Sequence, residues 1–279
     1  MSSDPTDRYL HCPVQISADS ERITLAHGEG GRLMRKLIRN RIISALDCEL
    51  LLPMDDAARL PPIDGPLAMT TDSFVVTPLF FPGGDIGSLA VYGTVNDLVV
   101  AGARPMYLTL SLILEEGFLL ALLDCVLQSV NQAASRTDVK IVAGDTKVVP
   151  RGAVDGLFIN TAGVGRLIEP MLAGPSQLRE GDELIVTGPI GRHGIAVLCA
   201  REELALEPPP KSDCGPLVRA ATLLGERLGT RLRAMRDATR GGLGAVLHEW
   251  AHASNLTLAI DEQKVPVSPD VRGACELLG

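Results

Sequence analysis

The sequence has no CxxC pair, no opening apolar segment, no block of consecutive basic residues and no run of about 20 uncharged apolar residues, and each gap removes a class of protein. Six cysteines (Cys12, Cys48, Cys125, Cys199, Cys214 and Cys275) are scattered through 279 residues, which reads as free thiols in a reduced cytoplasmic compartment rather than a disulfide scaffold. The opening MSSDPTDRYL does not resemble a secretory leader. A net charge of −8 and a pI near 5.2 argue against a nucleic-acid or anionic-membrane partner. The basic residues between Arg32 and Arg41 alternate with apolar ones, as on the solvated face of a helix. Met106 to Gln128 is the most apolar region, yet it carries Glu115, Glu116 and Asp124 and is broken at Gly117, so no membrane span is expected. Common nucleotide and hydrolase templates are missing too: no GxxxxGK[ST], no GxSxG with partners, and no GxGxxG after a strand, with GEGGRL the nearest approach.

What is present centres on Thr71 to Pro105, TDSFVVTPLFFPGGDIGSLAVYGTVNDLVVAGARP. This stretch spaces Asp72, a Gly83-Gly84-Asp85 turn and Asp97 across a strand and a helix. Single aspartates on rigid elements suit Mg²⁺, which takes oxygen ligands and keeps water and substrate phosphates in its shell. Nucleotide chemistry is therefore the first expectation. Hydrophobic residues make up 46% of the chain, enough to core two domains.

Alternating strands and helices predict an α/β fold. A short strand at Ile23 to Leu25 leads into His27, Gly28, Gly30 and Gly31, a glycine loop opening an amphipathic helix that carries Leu33, Leu37, Ile38 and Ile42; such a loop offers bare N–H groups to an anion, or is simply a flexible turn. Strands are expected at Leu67 to Thr71, Phe74 to Thr77, Met106 to Leu114, Lys140 to Ala143 and Leu157 to Arg166, and helices from Asp85 to Ala103 and Phe118 to Thr137. Asp85 reads first as a helix cap. Asp97, among Val95, Leu98, Val99 and Val100, must find a cation or hydrogen bonds, or shift its pKa. Gly144-Asp145-Thr146-Lys147 is expected as a turn at a strand end, with Lys147 free to neutralise phosphate or merely exposed. A boundary near Leu172 to Gln177 separates a second half with strands Glu183 to Thr187 and Leu232 to Met235 and helices Ile195 to Glu203 and Leu217 to Leu228. There the turn Asp237-Ala238-Thr239-Arg240-Gly241-Gly242 repeats the acidic, glycine-rich logic of the first half, and its arginine adds a planar fork for phosphate oxygens.

His248-Glu249-Trp250-Ala251-His252 matches HExxH, the helical zinc signature. The extended pattern lacks its third histidine: Asn255 and Leu258 stand where glycine and histidine would be, leaving Glu276 as the only well-placed downstream ligand. Leu243, Val246, Leu247 and Trp250 make an ordinary amphipathic helix of the same residues. A zinc peptidase is thus a remote alternative.

In order, LAHGEGGRLMRKLI, TTDSFVVTPLFFPGGDIGSLAVYGTVNDLVVAGARP, LSLILEEGF, VAGDTKVVPRGAVDGLFINTAGVG and RDATRGGLGAVLHE closely resemble the hydrogenase maturation factors of the HypE family. That family belongs to the superfamily of aminoimidazole ribonucleotide synthetase, selenophosphate synthetase and thiamine monophosphate kinase. The likeness runs from Ile23 to Gly279. It implies two α/β domains of the aminoimidazole ribonucleotide synthetase type after a flexible tail over 1–22. The N-terminal ATP-binding domain, 23–172, would pair with a second copy into a shared β-barrel, and the C-terminal α/β domain, 173–279, would be incomplete. The implied activity is ATP-dependent dehydration of a cysteine-bound carbamoyl group to a thiocyanate, whose cyanide goes to the iron of a [NiFe]-hydrogenase. ATP and Mg²⁺ are the implied cofactors. A homodimer, the carbamoyltransferase HypF and the HypC–HypD iron scaffold are the implied partners. By match to the family's motifs, Asp56, Asp72, Asp97 and Asp145 would hold Mg²⁺ and phosphates, and Asp97 and Lys147 would be catalytic. Thr146, Lys147, Asp237, Thr239, Arg240, Gly241 and Gly242 would line the nucleotide and carbamoyl sites, and His27 to Gly31 would form a mobile lid.

The family ends in a Pro-Arg-Ile-Cys-like tail bearing the carrier cysteine, whereas this sequence stops at ACELLG, so a shortened form is expected. Cys275 lies in an apolar helical segment and reads as a buried small hydrophobe rather than the carrier. Two further readings follow: a non-catalytic remnant that still dimerises and binds partners or nucleotide, and a superfamily kinase or synthetase acting on a free small molecule.

Overall fold

The computed structural model describes residues 20–204 and 206–278, so the expected tail over 1–22 lies outside the described residues as far as position 19. The chain enters with Ile23 donating its N–H to the Phe118 carbonyl at 2.8 Å, and Arg22 bridging Leu119. The strand expected at Ile23 to Leu25 is thus a single bridge, followed at once by a 3-10 turn over Leu25–Gly28. Helix α1 (Arg32–Leu37) continues through a π-helical stretch (Ile38–Ile43) into α2 (Ser44–Leu46). Leu37, Ile42, Ile43 and Leu46 are buried along it, while Leu33 is exposed.

Next come β1 (Leu67–Phe74), the small hairpin of β2 (Phe80–Phe81) and β3 (Gly84–Asp85), α3 (Ile86–Val100), β4 (Ala103–Glu115), α4 (Leu120–Thr137), β5 (Lys140–Val149) and β6 (Leu157–Leu167). Four of the strands form one sheet in the order β1-β6-β4-β5. Only β4 and β5 run parallel, because α4 supplies the crossover that parallel neighbours require. Leu108, Leu110, Leu112 and Leu114 alternate along β4 and point to the face covered by α3 and α4. Leu123, Val126, Leu127, Val130 and Ala134 give α4 one apolar stripe against that core. α3 is apolar on nearly every side, and is covered by the sheet, α4 and the second half of the chain. The other face of the sheet carries Met69, Thr71, Ser73, Thr109, Ser111 and Asn160 in register, and Met69 is 74% exposed. β1 and β5 are the sheet's two edges.

The second half holds α5 (Arg192–Arg201), α6 (Val218–Leu228), α7 (Gly242–Ser254) and α8 (Pro269–Leu278). It is pinned to the first by Ser212, whose N–H donates to the Pro82 carbonyl at 2.8 Å, and by the edge of the His193 ring on Phe81.

Further expectations are corrected. Phe74 to Thr77 is no strand of its own, since β1 runs through Asp72 and ends at Phe74. Gly144 to Lys147 is no turn: β5 runs unbroken to Val149 because β4 extends beside it to Glu115, with Thr146 and Lys147 paired to Leu112 and Ile113. Neither Glu183 to Thr187 nor Leu232 to Met235 has a ladder partner among the described residues; the first has strand-forming Ile185, Val186 and Thr187, yet Ile185 is 68% exposed, and propensity alone does not make a strand. Cys275 is exposed on α8, because Val271 and Ala274 take that helix's inward face.

Candidate active site

Asp97 lies one turn from the end of α3, among buried Val95, Leu98 and Val99, with its own carboxylate half-buried. The hydroxyl of Thr70 on β1 donates to Asp97 Oδ2 at 3.0 Å. Thr70 and Asp72 are two residues apart on one strand and so share the face beneath α3. Asp72 Oδ1 accepts the N–H of Ser73 at 2.8 Å. Gly93 and Asp97, four residues apart, form one stripe of the helix. A β-carbon at Gly93 would lie 2.7 Å from Phe74 Cε1 and 3.8 Å from Asp72 Oδ2, so glycine is what lets α3 settle over β1 with the Asp72 carboxylate beside that stripe.

The second half supplies the rest. Burial, then the like charge of Asp237 and more weakly that of Asp72, push the Asp97 carboxyl above the ordinary carboxylate range, against the Thr70 hydrogen bond and the charge of Arg236. Asp72 from the first half and Asp237 from the second therefore both lie within electrostatic reach of Asp97. The neighbour of Asp97 holds the halves in place: Asn96 Nδ2 donates to the Gly215 carbonyl at 3.0 Å and Asn96 Oδ1 accepts from the Leu217 N–H at 2.8 Å. Beyond Asp237, Thr239 and Arg240 are exposed, and the Thr239 carbonyl accepts the Gly242 N–H at 3.0 Å. Gly241 sits at φ +82°, where a β-carbon would come within 2.7 Å of Ala245 Cβ, and no side chain caps α7 there. With the Gly242 N–H taken by Thr239 and the Ala245 N–H by Gly241, the Leu243 and Gly244 N–H groups are the ones left for an anion.

The remaining expected residues lie elsewhere on the same chain. Asp72 pairs with Thr161, Thr161 with Leu110 and Leu110 with Gly144, so three strand spacings, roughly 14 Å, separate Asp72 from the Asp145 region. Asp145 follows Gly144 and so faces the other side of the sheet, where Lys147 Nζ reaches its Oδ2 at 3.0 Å. Thr146 is buried between them. The glycine loop borders this second cluster, Gly28 packing on Val148, while His27 Nδ1 lies 2.9 Å from the Thr24 hydroxyl. Asp56 is exposed in the loop before β1.

Among the described residues no three carboxylate, imidazole or thiol side chains close into a ready-made metal cage. The HExxH residues agree: Glu249 lies 3.6 Å from Arg236 in an ion pair, and His248 and His252 gain no third ligand. Asp85 is a cap. Its Oδ1 accepts the Gly87 and Ser88 N–H groups, the Ser129 hydroxyl donates to Oδ2, and burial raises its pKa.

Sequence reasoning missed Thr70, Gly93, Asn96 and Arg236. The signal for Thr70 was present in strand periodicity and that for Gly93 in helical periodicity; Asn96 and Arg236 matter through contacts that no local pattern carries.

Comparison with known proteins matches two family models, AIR synthase related protein, N-terminal domain, over residues 54–167 and AIR synthase related protein, C-terminal domain, over 179–277. The chain is 46% identical over 257 residues to the carbamoyl dehydratase HypE of Bradyrhizobium diazoefficiens, spanning 92% of this chain and 74% of that protein. It is similar to a crystal structure of the hydrogenase maturation protein HypE in complex with ATP, with a TM-score of 0.88 and 44% identity over 92% of this chain and 76% of the other. A crystal structure of the HypE–HypF complex matches with a TM-score of 0.73 and 44% identity, over 89% of this chain and 79% of the other.

Proposed function

Because this chain belongs to the HypE family of carbamoyl dehydratases, the hydrogenase maturation factors built on the AIR synthase related fold, we propose that it dehydrates a cysteine-bound carbamoyl group with ATP. The observation that carries this is the meeting of Asp72 and Asp97 from the first half with Asp237 and the open N-terminus of α7 from the second. Bound there, a triphosphate would have these carboxylates toward its metal and the Leu243 and Gly244 N–H groups of α7 toward its oxygens.

The donors are all hard oxygens, too few and too spread for a closed cage, which fits Mg²⁺ held by one or two carboxylates plus phosphates and water. Asp72 and Asp97 would hold the ion, which when bound neutralises charge on the transferring phosphoryl group. The carbamoyl oxygen attacks the γ-phosphorus and ADP leaves as one N–H proton is lost. The carbon–oxygen bond then breaks with loss of the second N–H proton, giving phosphate and an S–C≡N group. An amide oxygen is a poor leaving group, and phosphorylation makes it a good one. Thr239, Arg240 and the α7 N-terminus position phosphate oxygens against this transfer.

Asp145, Lys147 and the Gly28 to Gly31 loop join this site from a second copy. Pairing β1 of one chain with β5 of its partner closes the two open sheets into a barrel, covers Met69, and brings the partner's β5, which carries the partner's Asp145 and the partner's Lys147, alongside the strand that carries Asp72. HypF is the proposed carbamoyl donor, supported by the likeness to the HypE–HypF complex. The HypC–HypD scaffold is the proposed cyanide acceptor, and the cytoplasm the compartment. No helix of the described residues is long and apolar enough to cross a membrane.

Mixing two inactive variants tests the arrangement. Asp97→Asn and Lys147→Ala chains, each without ATP turnover, should regain about a quarter of wild-type turnover on subunit exchange, because half of the dimers are mixed and each has one intact site of two. No recovery in chains shown to exchange would place Lys147 outside the shared site. Absence of a thiocyanate mass on any cysteine after incubation with ATP, carbamoyl phosphate and HypF would overturn the dehydratase reading itself.

A further inference from the structure

Neither histidine of the HExxH stretch is among the groups that act on Asp97. α7 runs from Gly242 to Ser254, and His248 and His252 stand four residues apart on it, both exposed. In a helix that spacing sets the two side chains one above the other, with β-carbons about 5–6 Å apart. The residues around them are small: Gly244 lies one turn before His248, and Ala251 and Ala253 flank His252. Among the described residues no hydrogen bond, ion pair or ring contact engages either imidazole. Glu249, the residue a peptidase would need as its base, points to Arg236 instead.

The geometry points to a two-imidazole surface site on α7 for a borderline divalent transition-metal ion, with His248 and His252 as its protein ligands and water completing the coordination. Two neutral nitrogen donors suit Cu²⁺, Ni²⁺ or Zn²⁺ and not Mg²⁺, whose oxygen preference keeps it at the carboxylates. Affinity should follow the general order for nitrogen sites, with Cu²⁺ tightest. Two ligands on one rigid helix bind without rearranging the fold. Such a site has neither a third protein ligand nor an adjacent base, so it binds metal without hydrolysing peptides.

The test is calorimetric titration of the full chain with CuCl₂ and then NiCl₂ in chelator-free buffer, in a Cys275→Ser background that removes the exposed thiol. One Cu²⁺ per chain should bind to this site, and either His248→Asn or His252→Asn should weaken binding at least about tenfold, because one of two donors is gone. Cu²⁺ should also raise the melting temperature of the parent chain and leave that of either variant unchanged. Both rings are exposed, so the substitutions leave the core untouched, and unaltered helical circular dichroism would verify this. Equal Cu²⁺ affinity in parent and variants, or no binding to the parent, would overturn the site.

Discussion

Asp97→Asn should make the protein more stable and less active at once, and the size and pH dependence of the gain follow from the site. The Asp97 carboxylate is disfavoured first by burial and then by the charges of Asp237 and Asp72, which the Thr70 hydrogen bond and Arg236 offset only in part. Asparagine keeps the shape, and its amide oxygen still accepts from Thr70, so the substitution removes the repulsion and the cost of a half-buried charge and little else. Screened interactions between partly exposed charges are worth about 0.2–1 kcal/mol each, so two repulsions less one attraction leave a gain of about 0.5 kcal/mol. For a chain of this size that raises the melting temperature by about 1–2 °C. The folded-state pKa lies above the unfolded one, so the wild-type carboxyl supports the fold fully below the unfolded value and loses that support as pH rises through the folded value. Melting curves of wild type and variant, recorded in EDTA from pH 4 to 8, should therefore draw together toward the acid end and separate toward neutrality, with the variant higher. ATP turnover with Mg²⁺ should fall at least about 10²-fold, since a preorganised charge at the reacting phosphates is gone. A variant that melts lower at pH 7.5, or that hydrolyses ATP like the wild type, refutes the placement of Asp97 beside Asp237.

Asn96→Ala removes both bonds to the Gly215 and Leu217 backbone, and should cost about 2 kcal/mol in urea unfolding while raising KM for ATP, because the second half is no longer held over Asp97; unchanged unfolding and kinetics would discard the clamp. Gly93→Ala puts a β-carbon 2.7 Å from Phe74, and overpacking of this kind should lower stability by about 1–3 kcal/mol. A melting temperature within 1 °C of wild type, about what an unstrained surface change produces, would contradict the close approach of α3 to β1. Burial pushes the Cys214 thiol up to about 11, so iodoacetamide at pH 8 should label exposed Cys275 and spare Cys214 in the native chain, with both labelled after unfolding. Peptide mapping reads this directly, and native labelling of Cys214 would show that its surroundings open.

The pattern of apolar residues by itself determined the central elements of the first half: the β4 leucines, the α4 stripe and the Asp85 cap all follow from repeats of two and 3.6 and from a carboxylate placed before a helix. The ordered motifs determined the family as well. The ends of β5 were not legible, because whether Gly144 to Lys147 turns or runs on depends on how far β4 extends beside it. Leu184 to Val186 show the same limit from the other side, since strand-forming side chains stay unpaired when no neighbouring strand is present among the described residues. For the site, sequence named Asp72, Asp97 and Asp237, but only the tertiary structure decided that these three meet while Asp145 and Lys147 lie across the sheet on its far face. Side-chain alternation and strand order set that separation, and strand order is a long-range property that no local window contains.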